Sequence, residues 1–123
     1  MAIQIKRIYD PATKDDGYRL LVDRLWPRGI SKEKAALDEW AKELAPDSAL
    51  RTWFGHKAEN FHVFADLYQK ALDKDPVVAD KAAQLIAKSK NGTVTLLYGA
   101  KDPMINHAAV LKNWLENKAK NLP

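Results

Sequence analysis

The chain opens on a short alternation. Ile3 and Ile5 fall on one side and Gln4 and Lys6 on the other, the period-two pattern of a strand, which runs on to Ile8. Residues 9–17 contain Asp10-Pro11 and Asp16-Gly17 and read as a loop, with Asp15 and Asp16 as turn residues. Between Tyr18 and Arg24 the unbroken run Leu20-Leu21-Val22 predicts a strand buried on both faces, closed by the turn Trp26-Pro27-Arg28-Gly29.

Helical spacing then takes over. Leu37, Trp40, Ala41 and Leu44 predict a helix stopped by Pro46, and Asp47 or Ser48 caps a short successor carrying Leu50, Trp53 and Phe54. Phe61, Phe64, Ala65, Tyr68 and Leu72 form one apolar stripe of a longer helix. Asp75-Pro76 is a cap with proline in the first turn, opening a helix with Val78, Ala82, Leu85 and Ile86 inward and Gly92 beyond its end. Thr93 to Tyr98 is a β-branched strand that stops at Gly99. Asp102-Pro103 repeats the cap-and-proline pattern before a last helix bearing Met104, Ala108, Leu111 and Leu115, and residues 117–123 are expected to fray.

This order predicts one α/β domain over residues 1–123, with a small, mostly parallel three-stranded sheet packed by about five helices. Helices separate the second and third strands, so these are expected to be parallel neighbours. The first two strands are joined by only about nine residues, near the lower limit for a parallel crossover, and the direction of the first strand stays open.

Composition removes several kinds of chemistry. The chain has no cysteine, which excludes disulfides, thiolate metal sites and cysteine nucleophiles. Its 46% hydrophobic and 29% charged residues are an ordinary globular balance. No apolar stretch approaches the ~20 residues of a membrane span, and the start has no secretory apolar region, so a cytoplasmic protein with no membrane partner is expected. Neither phosphate-binding glycine loop is present, and Ser31, Ser48 and Ser89 lie in no nucleophile elbow. His56, His62 and His107 show no helical metal-ligand spacing, so neither metal nor cofactor is expected.

The net charge of +4 matters less than its layout. Residues 1–34 carry 8 basic and 5 acidic groups, residues 35–75 carry 5 and 8, and residues 76–123 carry 7 and 3. Of the five arginines, Arg7, Arg19, Arg24 and Arg28 lie within the first 28 residues, and only Arg51 lies elsewhere. Arginine's planar fork suits bidentate recognition of phosphate or carboxylate, so this segregation points to an anion site.

In open α/β sheets ligands collect beyond the carboxyl ends of the parallel strands. Those ends are residues 23–29 and 98–102, the second leading to a helix N-terminus. Arg24, Arg28 and Lys101 would hold an anion there, Trp26 and Tyr98 would contact its body, and Arg7 and Tyr9 would join if the first strand is parallel. Asp23, His107 and, beside Phe54-Gly55, His56 are candidate acid/base groups. Structural roles stand beside each of these: an internal ion pair for Asp23, core positions for Trp26 and Tyr98, loop carbonyls as partners for Arg28, and packing for the histidines.

The segments Lys6-Arg7-Ile8-Tyr9-Asp10, Gly17 to Gly29, Trp53-Phe54-Gly55-His56, Thr95 to Asp102 and Asn106-His107-Ala108, together with Trp40, resemble the YeaO-like bacterial proteins, domain of unknown function 488. The Val22-Asp23-Arg24-Leu25-Trp26-Pro27-Arg28-Gly29 run carries most of that resemblance. It implies a small bacterial α/β protein and brings no assigned activity. It also implies longer relatives with cysteines near the positions of Tyr98 and Asn106, which this chain lacks. The leading expectation is a site for an anionic small molecule, with enzymatic turnover left open. Nucleic-acid binding through dispersed lysines and interleaved aromatics, and protein interaction through exposed tryptophans, are the alternatives. Oligomeric state is not legible.

Overall fold

A computed structural model describes residues 2–121. Four strands form one wholly parallel sheet: β1 (Ala2–Arg7), β2 (Tyr18–Leu21), β3 (Glu39–Trp40) and β4 (Thr93–Tyr98), in the spatial order β1-β4-β2-β3. Five α-helices accompany them among the described residues: α1 (Lys32–Ala35), α2 (Ser48–Phe54), α3 (Phe61–Lys74), α4 (Pro76–Lys90) and α5 (His107–Lys120). The fold is a mixed α/β single domain, as expected, but the sheet has four strands rather than three.

The extra strand occupies the region where the spacing of Leu37, Trp40, Ala41 and Leu44 predicts a helix. Ala36 adopts a left-handed conformation (φ 47°) that ends α1. Beyond it the free edge of β2 offers unpaired backbone groups, and pairing with them outweighs local helix propensity. Asp38 N–H donates to the Arg19 carbonyl at 2.9 Å, and Ala41 N–H to the Leu21 carbonyl at 2.8 Å. Leu44 falls in a 3₁₀ turn instead of a helix.

Both faces of the sheet are covered, which accounts for the continuous apolar runs. Leu20, Val22, Val94, Leu96 and Tyr98 point into the larger core, built with Phe64, Tyr68, Leu85, Leu111 and Leu115. Leu21 and Leu97 point the other way, against Ile8, Ile30 and Ala35. The stripe on α3 buries Phe64, Tyr68 and Leu72, and Asp75 caps α4 through Val77 N–H at 2.9 Å. The last helix starts later than Asp102-Pro103 predicts. Asp102 caps a turn through Met104 and Ile105 N–H, while Asn106 Oδ1 takes Ala109 N–H at 2.8 Å and caps α5. The expected fraying of residues 117–123 is corrected as far as Lys120, which is helical; residues 122–123 lie outside the described residues.

β1 is parallel, so Ile8 to Gly17 must return from one edge of the sheet to the other. These ten residues could span roughly 33 Å fully extended, which exceeds the length of a six-residue strand. The return is fastened by Asp16, which ends a 3₁₀ turn (Lys14–Asp16), as its place before Gly17 predicts, and is a buried counter-ion as well. Its carboxylate takes Lys6 Nζ at 3.0 Å, Thr13 N–H at 3.0 Å and the Arg19 guanidinium. Arg19 is buried as well, and its remaining donors reach the carbonyls of Ala35 and Ala36. Gly17 then enters β2 with φ +62°, where a Cβ would lie 2.2 Å from the Thr93 carbonyl oxygen.

Burial pushes the Asp16 carboxyl upward, but the Thr13, Lys6 and Arg19 donors outweigh it and hold it down at about 2, well below the ordinary carboxylate range. A depressed carboxylate stabilises the fold fully above its unfolded value and loses that contribution as pH falls through its folded value. The wild-type chain is therefore expected to lose about 2–3 kcal/mol from this group between about pH 4 and pH 2. Asp16→Asn, which leaves Arg19 buried without a counter-charge, is expected to cost about 3–5 kcal/mol at neutral pH in urea unfolding and to flatten that acid limb. A variant as stable as wild type at pH 7 would contradict this role.

Candidate functional site

Parallel strands bring all their carboxyl ends to one edge, and a cavity of about 410 Å³ opens there. After β2 the chain turns over this edge. Trp26 Nε1–H closes the turn on the Ile30 carbonyl at 2.8 Å, and Trp40 Nε1–H holds the Asp23 carbonyl at 2.7 Å. The two indoles meet edge to face with centroids 5.3 Å apart. Tyr9, just past β1, donates its hydroxyl to the Arg28 carbonyl at 2.8 Å. The turn that carries Arg24 and Arg28 is thus tied to both β1 and β3.

Three guanidinium groups line the cavity: Arg24, Arg28 and Arg51. Arg24 is half-buried, with Nε on the Pro46 carbonyl at 3.2 Å and Nη2 on that of Ala45 at 3.3 Å, so its plane is fixed while Nη1 has no partner among the described residues. Arg28 and Arg51 are exposed. None of the three is ion-paired with a carboxylate among the described residues. Arg51 sits in the last turn of α2, a helix fixed by the Asp47 cap on Leu50 N–H at 2.8 Å and by left-handed Gly55. Its position in the chain gives no hint of this role, because only the packing of α2 brings it to the sheet edge. Phe54 and Phe64, stacked at 4.3 Å, supply an aromatic wall, and His56 (φ 59°) leans on Phe54 at 5.9 Å.

Behind the arginines, Asp23 and His107 stand together. Gly99 N–H donates to Asp23 Oδ2 at 2.9 Å, and His107 Nε2 lies 2.9 Å from Asp23 Oδ1 and 3.1 Å from the Val22 carbonyl oxygen. Only the carbonyl lies in a hydrogen-bonding direction from the ring, so Asp23 Oδ1 is buried without a well-aligned donor. Asn106 is also buried and fixed, with Nδ2 on the Asp102 carbonyl at 2.8 Å. The N–H groups of Ile105 and Met104 hold the Asp102 carboxyl below the ordinary carboxylate value.

The structure therefore gathers Tyr9, Asp23, Arg24, Trp26, Arg28, His56 and His107 around one cavity. Three other expected site residues stand apart from it. Arg7 does reach this edge, because β1 is parallel, but its guanidinium braces the carbonyls of Ala100 at 2.8 Å and Gly99 at 3.4 Å and lies 4.8 Å from the Tyr9 ring. Tyr98 is in the core, where burial pushes its phenol up. Lys101 is exposed and outside the lining. Arg19, one of the segregated arginines, serves the Asp16 clamp. No cluster of three His, Asp or Glu side chains among the described residues could share a metal ion, and no described helix is long and apolar enough to cross a membrane.

With this geometry the chain can be set beside known proteins. The family model described as "Inactive DUF488-N3 subclade" matches residues 2–122. The uncharacterized protein YeaO of Escherichia coli K12 is 45% identical over 117 residues, covering 95% of this chain and 99% of the relative. An uncharacterized protein of Mycobacterium tuberculosis is 35% identical over 116 residues, 94% of this chain and 95% of the relative. No solved structure gives a significant match.

Gly99 sets the seat of Asp23, since a Cβ there would lie 2.9 Å from Asp23 Oδ2 and 3.7 Å from Pro27. Gly99→Ala is expected to destabilise the fold by about 1–3 kcal/mol through this overpacking. Gly92→Ala, with nothing within 4 Å of its Cβ, is the matched control. Equal chemical-denaturation midpoints for the two variants would contradict the account of that contact.

Proposed function

The chain belongs to the YeaO-like DUF488 family, in the subclade described as inactive, and from that premise we propose that it binds a small anionic molecule bearing phosphate or carboxylate. The observation that carries this reading is the set Arg24, Arg28 and Arg51 on one cavity, none of them ion-paired with a carboxylate among the described residues. Guanidinium groups left unpaired on a concave surface favour an anion that supplies the missing acceptors. Trp26, Leu25, Pro27, Phe54 and Ala100 would meet an apolar or planar body attached to it.

Binding without turnover accords with the description of the subclade as inactive and with the lack of any cysteine in the chain. The cavity's size favours a small molecule over a nucleic-acid strand, which would use a longer basic track.

Inorganic phosphate is expected to raise the melting temperature in a saturable manner. Arg24→Ala, Arg28→Ala and Arg51→Ala should each weaken that binding by about tenfold, the worth of a charge-assisted hydrogen bond. Arg7→Ala, outside the lining, should leave the affinity near wild type. Stabilisation by phosphate that none of the three cavity variants diminishes would overturn the reading. Salt-sensitive oligonucleotide retention without phosphate binding would favour nucleic acid instead.

A further inference from the structure

His107 opens α5 and lines the same cavity, with its side chain 15% exposed. One ring nitrogen is committed. Nε2 faces two acceptors, the Val22 carbonyl oxygen at 3.1 Å and Asp23 Oδ1 at 2.9 Å. A neutral imidazole carries its single N–H where the acceptors are, so Nε2 is the protonated nitrogen. Asp23 is itself anchored beside the ring. Its other oxygen is held by Gly99 N–H at 2.9 Å, in the space that a Cβ at Gly99 would enter.

Nδ1 is left over. It has no protein partner among the described residues and is not among their buried unpaired polar atoms, and the ring that carries it lines the cavity. The cavity therefore presents, beside its three guanidinium groups, an imidazole whose Nε2 is committed and whose Nδ1 in the neutral form offers a lone pair.

We propose that the Asp23–His107 pair makes the pocket selective for a hydroxylated anion, with the anionic group on the arginines and a ligand hydroxyl donating to His107 Nδ1. This rests on the anion-pocket reading and narrows its ligand class to polyol phosphates and hydroxy acids. Asp23 and Val22 are positioning groups, and His107 touches the ligand. An all-donor site would accept any anion of suitable size. The acceptor makes the site discriminate, because a ligand lacking the hydroxyl leaves Nδ1 unpaired in a partly desolvated wall.

The test compares two phosphates of equal charge and similar length, glycerol 3-phosphate and n-propyl phosphate, by isothermal titration of the full chain. Wild type is expected to bind the glycerol ester about fivefold more tightly, the worth of one neutral hydrogen bond. In His107→Gln the side-chain amide can still donate to the Val22 carbonyl but offers no acceptor at the Nδ1 position, and the preference should fall to about one. The ratio is taken within each variant, so a loss of stability common to both ligands cancels. Long-range proton–nitrogen correlation spectra of histidine-labelled wild type should show the Nε2–H tautomer for His107. Binding of both esters with equal affinity, or an Nδ1–H tautomer, would overturn this inference while leaving the anion site standing. Failure of both esters and of inorganic phosphate to bind would overturn both.

Discussion

The fold depends on a short return across the sheet. β1 and β2 are both parallel to β4, which lies between them, and only Ile8 to Gly17 connect the two. A chain that reversed direction by a simple hairpin would place the end of β1 at the opposite edge, away from the ends of β2 and β4. The Asp16 carboxylate closes this return by gathering Lys6 from β1, Thr13 from the loop and Arg19 from β2. Such a buried ionic cluster is costly to desolvate, and its worth lies as much in specifying one arrangement as in net stability. Here the arrangement it fastens is the parallel one, which brings the carboxyl end of β1 to the edge where those of β2 and β4 lie.

That common edge makes the cavity a composite. The β2 turn supplies Asp23, Arg24, Trp26 and Arg28, the segment after β4 supplies Gly99 and Ala100, α5 supplies His107, and α2 with its following loop supplies Arg51 and His56. Tyr9 comes from beyond β1 and braces the turn through the Arg28 carbonyl. None of the three arginines is ion-paired with a carboxylate among the described residues; backbone carbonyls orient Arg24, while Asp23 faces Gly99 and His107. A carbonyl fixes the guanidinium without neutralising its charge.

Much of this was legible in the sequence wherever local rules and tertiary packing agree. The run Leu20-Leu21-Val22 announces a strand covered on both faces, Thr93 to Tyr98 reads as a strand, and the Asp47 and Asp75 caps and the α3 stripe lie where their spacing predicts. Agreement fails where a distant partner decides. Leu37, Trp40, Ala41 and Leu44 have helical spacing, yet the open edge of β2 draws Glu39 and Trp40 into a strand. Asp16 resembles any aspartate before a turn glycine, and only the crossover reveals its buried partners. Segregation in the sequence cannot separate Arg19, spent on the clamp, and Arg7, spent on loop carbonyls, from Arg24 and Arg28 at the cavity. Nor can it include Arg51, whose place comes from the packing of α2.

The central claim is that Arg24, Arg28 and Arg51 converge on a shared anion position in the cavity. Anomalous diffraction from crystals soaked in selenate, a tetrahedral stand-in for phosphate, tests it directly. The account predicts a selenium peak inside the cavity, within hydrogen-bonding reach of Arg24 Nη1 and of at least one of the other two guanidinium groups. A cavity without selenium while peaks decorate lysines elsewhere on the surface would contradict it.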